Sequence, residues 1–212
     1  MKPDTLVLIS GPPGSGKTTC LREALALLAA RGHSVRACLS EATVRVARTD
    51  GALALGFDLL MLEDKAGALA ETARIPLARR DPPVPGPEPL RKRMQAFAFD
   101  YSAFSKVISF LRRSVLEIMA LDEIGPLELQ GNGGFMPFLR ELAAGENLIA
   151  PPILLLTVRP NLIDELLRLF SSLFGTARVQ RVVLGENDDG CIMATANRIA
   201  DYVTETEEGY HE

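Results

Sequence analysis

The chain has 212 residues, enough to bury a core in one domain, although two small domains would also fit this length. Hydrophobic residues make up 47% of the chain and charged residues 24%, which is the composition of an ordinary globular domain. The net charge of −4 argues against a broad basic surface, so we do not expect a nucleic-acid partner.

The cysteine content and the N-terminal residues indicate the cellular compartment in which the protein is expected. The three cysteines, Cys20, Cys38 and Cys191, are far apart and odd in number, which indicates buried thiols rather than a zinc site or a disulfide framework. The apolar run near the N-terminus is only a strand long, so neither a signal peptide nor a membrane span is expected. We therefore predict a single cytoplasmic domain over residues 1–212, with no membrane contact.

The first predicted elements are a buried strand, a glycine-rich loop and a helix. The strand covers Leu6–Ile9, and the loop that follows reads GPPGSGKT, which matches the P-loop pattern G-x-x-x-x-G-K-[ST]. Gly14 and Gly16 let the backbone aim successive N–H groups at one anion, and the helix N-terminus adds partial positive charge there. In this pattern Lys17 pairs with the β- and γ-phosphates and the Thr18 hydroxyl binds Mg²⁺.

The sequence thus predicts a nucleotide-phosphate site with Mg²⁺ as its cofactor. The residues expected to bind the nucleotide are Gly11, Pro12, Pro13, Gly14, Ser15, Gly16, Lys17, Thr18 and Thr19. After them we predict a helix over Thr19–Arg31 and a second strand over Ser34–Ser40.

Residues 43–95 differ in kind, because short extended runs follow one another with no long helix between them. Val44–Arg48 and Phe57–Glu63 are two such runs, and a turn at residues 65–67 leads into a third, Ala68–Ala73. This pattern predicts an antiparallel insertion at the edge of the sheet.

A proline-rich loop, residues 81–89, closes this insertion. Proline at this density is incompatible with a helix or a central strand. The basic flanks, within residues 79–93, fit either a solvated loop or a lid over the phosphates.

The remaining predicted elements alternate between helices and strands. They are the helix Phe97–Arg113, the strand Val115–Leu121, the helix Phe135–Ala144, the strand Ile153–Val158, the helix Asn161–Phe170 with Asn161 as its cap, the strand Arg178–Leu184 and the helix Cys191–Val203. Alternation of this kind predicts an α/β fold, with a mostly parallel sheet covered on both faces. The ligand then lies beyond the carboxyl ends of the strands.

A second motif lies at such a strand end. Asp122 and Glu123 close an apolar run in the manner of a Walker B sequence. We expect Asp122 to hold Mg²⁺, and Glu123 to deprotonate a water aimed at the γ-phosphate. Because adjacent strand residues point to opposite faces, Glu123 can reach the nucleotide only where the backbone begins to turn.

These motifs resemble the P-loop nucleoside-triphosphatase family that includes the human cancer-related nucleoside-triphosphatase and its thermophile homologue. The resemblance rests on GPPGSGKTT at residues 11–19, on GFDLLML at 56–62 with LAR at 77–79, and on LDEIGPLEL at 121–129. The phrase Asp-Glu-Ile-Gly-x-x-Glu-Leu is the most specific of these. The resemblance implies a three-layer RecA-like sandwich with an antiparallel portion, and Mg²⁺-dependent hydrolysis of several nucleoside triphosphates.

The sequence departs from the family pattern at three places. Arg159-Pro160 stands where the family commonly has a histidine, and Asn187-Asp188-Asp189 stands where the family tends to have Asn-Arg-Asp. The loop at 81–89 looks like a local expansion. Base preference and rate therefore do not transfer from the family.

Four residues form the predicted catalytic set: Lys17, Glu123, Thr157 and Arg159. Thr157 ends a predicted strand and fits a sensor of the γ-phosphate or of the attacking water. Arg159 lies just past that strand and fits either a second positive charge at the β–γ bond or an ordinary surface arginine.

Three functions remain open at this point. The first is hydrolysis of nucleoside triphosphates with loose base selectivity. The second is a kinase that transfers the γ-phosphate to a small acceptor, and the third is a slow nucleotide-dependent switch that acts through an unidentified protein partner. Glu123 directly after Asp122 favours activation of water, and therefore hydrolysis.

Overall fold

The computed structural model describes residues 3–43, 45–48, 51–80, 97–113, 116–144, 151–175, 177–185 and 192–208. The strands are β1 (Thr5–Ser10), β2 (Val35–Ala42), β3 (Arg45–Arg48), β4 (Gly51–Ala54), β5 (Gly56–Lys65), β6 (Ala68–Arg80), β7 (Phe97–Phe99), β8 (Ile118–Ile124), β9 (Ile153–Val158) and β10 (Arg178–Val183). The helices are α1 (Lys17–Ala30), α2 (Ser102–Leu111), α3 (Pro126–Leu129), α4 (Met136–Ala144), α5 (Ile163–Phe174) and α6 (Ile192–Glu208), with a 3₁₀ turn at Pro160–Leu162.

Eight of the strands form one sheet in the order β10-β1-β9-β8-β2-β5-β6-β7. The first five are parallel neighbours, and β5, β6 and β7 extend the sheet in antiparallel fashion beyond β2. The strand before the P-loop, β1, is separated from the Walker B strand, β8, by β9 alone. Since parallel strands end at the same edge of a sheet, the two motifs meet there.

The sheet is buried on both faces. Leu6 and Leu8 of β1 pack with α2, α4 and α5, whereas Val7 and Ile9 pack with α1 and α6. A strand with four successive apolar residues, as at Leu6–Ile9, is typical of such two-sided burial. The predicted α/β architecture, a three-layer sandwich with a mostly parallel sheet and an antiparallel portion, is confirmed.

The antiparallel portion is larger than the runs predicted for it. β5 and β6 form a hairpin through Ala66 and Gly67, and β6 continues to Arg80, well past the predicted end at Ala73. β3 and β4 pair in a separate two-stranded sheet. The proline-rich loop at 81–89 lies outside the described residues, as does the candidate lid beyond Arg80.

Two predicted element starts are wrong. Phe97–Phe99 forms strand β7 against β6 rather than the first turn of a helix, because Phe97 packs on Phe57 with ring centroids 5.4 Å apart. Helix α2 begins at Ser102, whose backbone N–H donates to Asp100 Oδ1 at 2.9 Å. Asn161 does not cap α5 either, since it lies within the 3₁₀ turn that precedes this helix.

The Walker B strand is also displaced from its predicted position. It begins at Ile118 and runs to Ile124, three residues past the predicted end, and the short helix α3 that follows was not predicted. Both acidic residues therefore lie within the strand rather than after it. Among the described residues, no helix is long and apolar enough to cross a lipid bilayer.

Candidate active site

The P-loop connects β1 to α1 in the conformation that its glycines permit. Gly14 and Gly16 adopt positive φ angles of 83° and 81°, where a side chain would be strained. Gly16 is the residue before α1, and no side chain caps the first turn of this helix. The amide groups of that turn are consequently free to face an anion.

Lys17 folds back over the loop in this structure. Its ammonium group donates hydrogen bonds to the carbonyl oxygens of Gly11, at 2.9 Å, and Pro12, at 2.8 Å. Burial lowers the pKa of Lys17, and the charge of Arg159 lowers it further, while Glu123 and Asp122 oppose this shift. Lys17 thus lies within the electric field of all three of these predicted site residues.

Asp122 is the centre of the hydrogen-bond network beside the loop. It is 4% exposed, and its Oδ2 accepts bonds from the Thr18 hydroxyl at 2.7 Å and from the Ser40 backbone N–H at 3.2 Å. Its Oδ1 accepts a bond from the hydroxyl of Thr157. Burial raises the pKa of Asp122, and these hydrogen bonds, which favour the ionised carboxylate, act in the opposite direction.

A bulge in β8 brings two adjacent acidic residues to one edge of the sheet. Leu121 pairs with Leu156 and Ile124 with Val158, so that Asp122 and Glu123 together oppose the single residue Thr157 of β9. Glu123 takes up the extra length with a φ angle of +58°. A non-glycine residue in this region is strained by about 1–2 kcal/mol, so the surrounding contacts must hold it there.

Glu123 lies at the solvent-facing side of the network. Its side chain reaches solvent, yet the protein atoms crowded around it remove much of its hydration, and this raises its pKa. The charge of Asp122 raises the pKa further, whereas Arg159 and Lys17 lower it. A water-accessible carboxylate whose pKa is shifted toward neutrality suits a general base.

Thr157 lies beneath the two acids and is completely buried. Its hydroxyl donates to Asp122 and accepts the backbone N–H of Glu123 at 2.7 Å. The structure therefore brings Thr157 into the site, but it directs the hydroxyl at the two acidic residues.

Arg159 follows β9 directly and is exposed. Its positive charge lowers the pKa of both Lys17 and Glu123. Within the predicted catalytic set, Thr157 and Glu123 are joined by a hydrogen bond, and Lys17, Glu123 and Arg159 are linked through their charges.

A comparison with protein families bears on this arrangement. A family model described as NTPase matches residues 6–172, a stretch that includes both motifs and every residue of the predicted site. The chain belongs to this NTPase family. Comparison with curated proteins and with solved structures found no significant match. The resemblance noted in the sequence is confirmed at the level of the family.

The donor set in this NTPase fits the magnesium ion that P-loop families typically use. The Thr18 hydroxyl and the Asp122 carboxylate, both oxygen donors, lie 2.7 Å apart beside the loop. Within the described part of the chain, no cluster of three His, Cys, Asp or Glu residues forms a complete protein cage for a metal. One carboxylate and one hydroxyl suit Mg²⁺, which usually completes its coordination with substrate phosphates and waters.

Asp58 of the GFDLLML segment and Arg79 of the LAR segment form an ion pair. Arg79 Nη2 lies 2.6 Å from Oδ1 of Asp58, which is 5% exposed. The same guanidinium donates to the carbonyl oxygens of Phe57, at 2.9 Å, and Ala78, at 2.8 Å. These contacts bind β5 to β6, so Arg79 has a structural partner inside the hairpin.

Two residues of the site were missed by sequence reasoning. Ser40 contributes only its backbone N–H, which no side-chain pattern reveals. Glu128 is 4% exposed, and its carboxylate accepts the backbone N–H groups of Gly125, at 3.0 Å, and Phe135, at 3.3 Å. The sequence signal for Glu128 was its position in the phrase Asp-Glu-Ile-Gly-x-x-Glu-Leu.

Proposed function

We propose that this NTPase hydrolyses nucleoside triphosphates to the diphosphate and phosphate in a Mg²⁺-dependent reaction with loose base selectivity. The observation that carries the proposal is the bulge in β8. It leaves the carboxylate of Glu123 accessible to water and subject to the positive charges of Lys17 and Arg159, while Asp122 stays hydrogen-bonded to Thr18.

The P-loop residues 11–19 would bind the phosphates. The uncapped amides of the first turn of α1 donate to phosphate oxygens, and Lys17 exchanges the carbonyl groups of Gly11 and Pro12 for the β- and γ-phosphates. Thr18 and Asp122 would hold Mg²⁺, which neutralises charge on the β- and γ-phosphates when it is bound.

Glu123 would act as the base. It accepts a proton from water, the water oxygen forms a bond to the γ-phosphorus, and the bond from this phosphorus to the β–γ bridging oxygen breaks. The electron pair leaves with the diphosphate, and the proton on Glu123 passes to solvent. Lys17 and Arg159 would stabilise the charge that develops on the leaving oxygen.

Thr157 would position the two acids rather than touch the nucleotide. Its hydroxyl has one proton, and that proton is already donated to Asp122. The residue first considered as a sensor therefore acts, in this proposal, through Asp122 and Glu123.

Base selectivity would be loose because the sequence lacks Asn-Lys-x-Asp, the guanine-reading element of many GTPases. Phosphate contacts would then supply most of the affinity. We expect the affinities for ATP, GTP, CTP and UTP to fall within about tenfold of one another, or ~1.4 kcal/mol.

The test is a panel of the four triphosphates with Mg²⁺, in which released phosphate and phosphate transferred to added nucleosides and nucleoside monophosphates are both measured. Hydrolysis predicts steady release without any acceptor, and no release from the Lys17→Ala variant. Transfer that depends on an acceptor would support the kinase reading instead. A thousandfold preference for one base would contradict loose selectivity.

A further inference from the structure

Glu128 is a buried carboxylate that the proposed chemistry does not use. It lies in α3, five residues after Glu123, and both of its oxygens accept hydrogen bonds. Oε2 accepts the N–H of Gly125 and Oε1 accepts the N–H of Phe135. The side chain thus joins the exit of β8 to the start of α4.

The turn before α4 is shaped around this carboxylate. Gly134 adopts a φ angle of +56°, and a Cβ atom added there would lie 1.9 Å from Glu128 Oε1. No side chain can therefore occupy position 134 while Glu128 keeps its place. Only glycine fits both the backbone conformation and the space.

A buried carboxylate is unfavourable unless its charge is compensated. None of the ion pairs formed by the described residues involves Glu128. Its compensation comes from backbone N–H groups, and an uncharged side chain would avoid the burial of a charge altogether. A carboxylate has two acceptor oxygens, so it can accept hydrogen bonds from Gly125 and from Phe135 at the same time.

Two hydrogen-bond acceptors, Thr157 and Glu128, hold the backbone at Glu123 and just after it. Thr157 accepts the N–H of Glu123 itself, and Glu128 accepts the N–H of Gly125, two residues later. The strained φ angle of Glu123, +58°, thus falls within the segment that these two bonds hold. Loss of either acceptor would let the bulge relax toward an ordinary strand, in which Asp122 and Glu123 point to opposite faces.

We propose that Glu128 is a positioning residue that holds the β8 bulge in the conformation that directs Glu123 toward the attacking water. The inference rests on the proposed role of Glu123 as the base. Glu128 does not itself contact the water, because it is buried and both of its oxygens are occupied by backbone groups.

The experiment is a double-mutant cycle between positions 128 and 123. Turnover and the dissociation constant for Mg²⁺–nucleotide are measured for Glu128→Leu, Glu128→Gln, Glu123→Gln and the two double variants. Glu141→Gln is the matched control, because it removes a carboxylate from α4 that is 45% exposed and pairs with Arg112. Circular dichroism tests whether each variant is folded.

We expect Glu128→Leu to lower kcat by roughly 10–100-fold while the dissociation constant changes by less than about threefold. Glu128→Gln retains one acceptor oxygen, so its kcat should lie between those of Glu128→Leu and the parent. In the Glu123→Gln background, Glu128→Leu should change kcat by less than about twofold, because the residue acts through Glu123. If Glu128→Leu does not fold, the cycle with Glu128→Gln decides the question.

Two results would overturn the inference while leaving the proposed function intact. One is an unchanged kcat for a folded Glu128 variant, and the other is a loss of the same factor in the parent and in the Glu123→Gln background. The failure of the proposed function looks different, since Glu123→Gln would then turn over at the parental rate.

Discussion

The hydroxyl of Thr157 accepts the backbone N–H of Glu123 across the bulge in β8, at 2.7 Å. The same hydroxyl donates its single proton to Asp122. Thr157 therefore orients the carboxylate of Asp122, which would hold Mg²⁺. It also holds the backbone of Glu123, whose carboxylate would activate water. Thr157 cannot donate to a phosphate without releasing Asp122.

Replacement of Thr157 by valine should disturb both acids together. Valine keeps the shape but leaves the Glu123 N–H without an acceptor, which lowers the free energy of unfolding by about 1–3 kcal/mol. We expect a lower kcat and a higher half-saturating Mg²⁺ concentration, measured by phosphate release across a Mg²⁺ titration. Thr157→Ser is the control, because it retains the hydroxyl. Loss of activity in Thr157→Ser equal to that in Thr157→Val would argue against the hydroxyl as the cause.

Substitution of Glu123 by glutamine should separate binding from chemistry. Glutamine removes the base but keeps the size of the side chain, so turnover should fall by roughly 10²–10⁴-fold, the range for loss of a general base. This corresponds to ~3–5 kcal/mol of barrier, with Mg²⁺–nucleotide affinity nearly intact. Lys17→Ala is the contrasting variant, since it should weaken affinity and abolish turnover together. Parental turnover in Glu123→Gln would favour the kinase or the switch.

We predict that the positive charge of Arg159 contributes to turnover, although its side chain is exposed. We expect Arg159→Ala to lower kcat by about tenfold or more, because its charge reaches both Lys17 and Glu123. Arg140→Ala, which removes an exposed arginine from α4, should leave turnover unchanged. Steady-state phosphate release measures both variants. Equal rates for the parent and Arg159→Ala would show that Arg159 is an ordinary surface residue with no role in turnover.

The pKa of Glu123 should respond to Asp122 in the protein free of metal and nucleotide. Partial loss of hydration among the surrounding protein atoms and the negative charge of Asp122 both raise this pKa above its ordinary value. Asp122→Asn removes the neighbouring negative charge, so the pKa of Glu123 should fall relative to its value in the parent protein. NMR of the side-chain carboxyl carbons against pH measures it. Glu117→Gln, an exposed position before β8, should cause no shift, and a rise in Asp122→Asn would contradict this electrostatic account.

Much of the candidate site could be located from the sequence because its signals are local. The P-loop needs glycine at defined positions and a lysine and a hydroxyl at the start of a helix, and all of these lie within one short segment. Residues 153–158 were predicted with the observed bounds, since an apolar run of that length bounded by prolines has few alternatives. Asp122 was recognisable for the same reason, at the end of an apolar run.

Features that depend on a partner strand were not predictable in this way. Phe97–Phe99 forms a strand because Phe57 and β6 lie beside it, and nothing within those residues indicates this partner. Arg79 was considered for a phosphate lid, yet it pairs with Asp58 across the hairpin. Glu128 belonged to the most specific motif of the chain, but its acceptor role appears only when Gly125 and Phe135 are brought together.

By itself, the sequence determined the α/β class and located the P-loop pattern and the adjacent acids Asp122 and Glu123, because each follows from the period and type of nearby residues. The tertiary structure alone decided how Glu123 reaches the site. Side chains alternate along a regular strand, and only the unequal pairing of β8 with β9 adds the extra residue that lets both acids serve one edge. That pairing joins positions 34 residues apart, through the hydroxyl of Thr157.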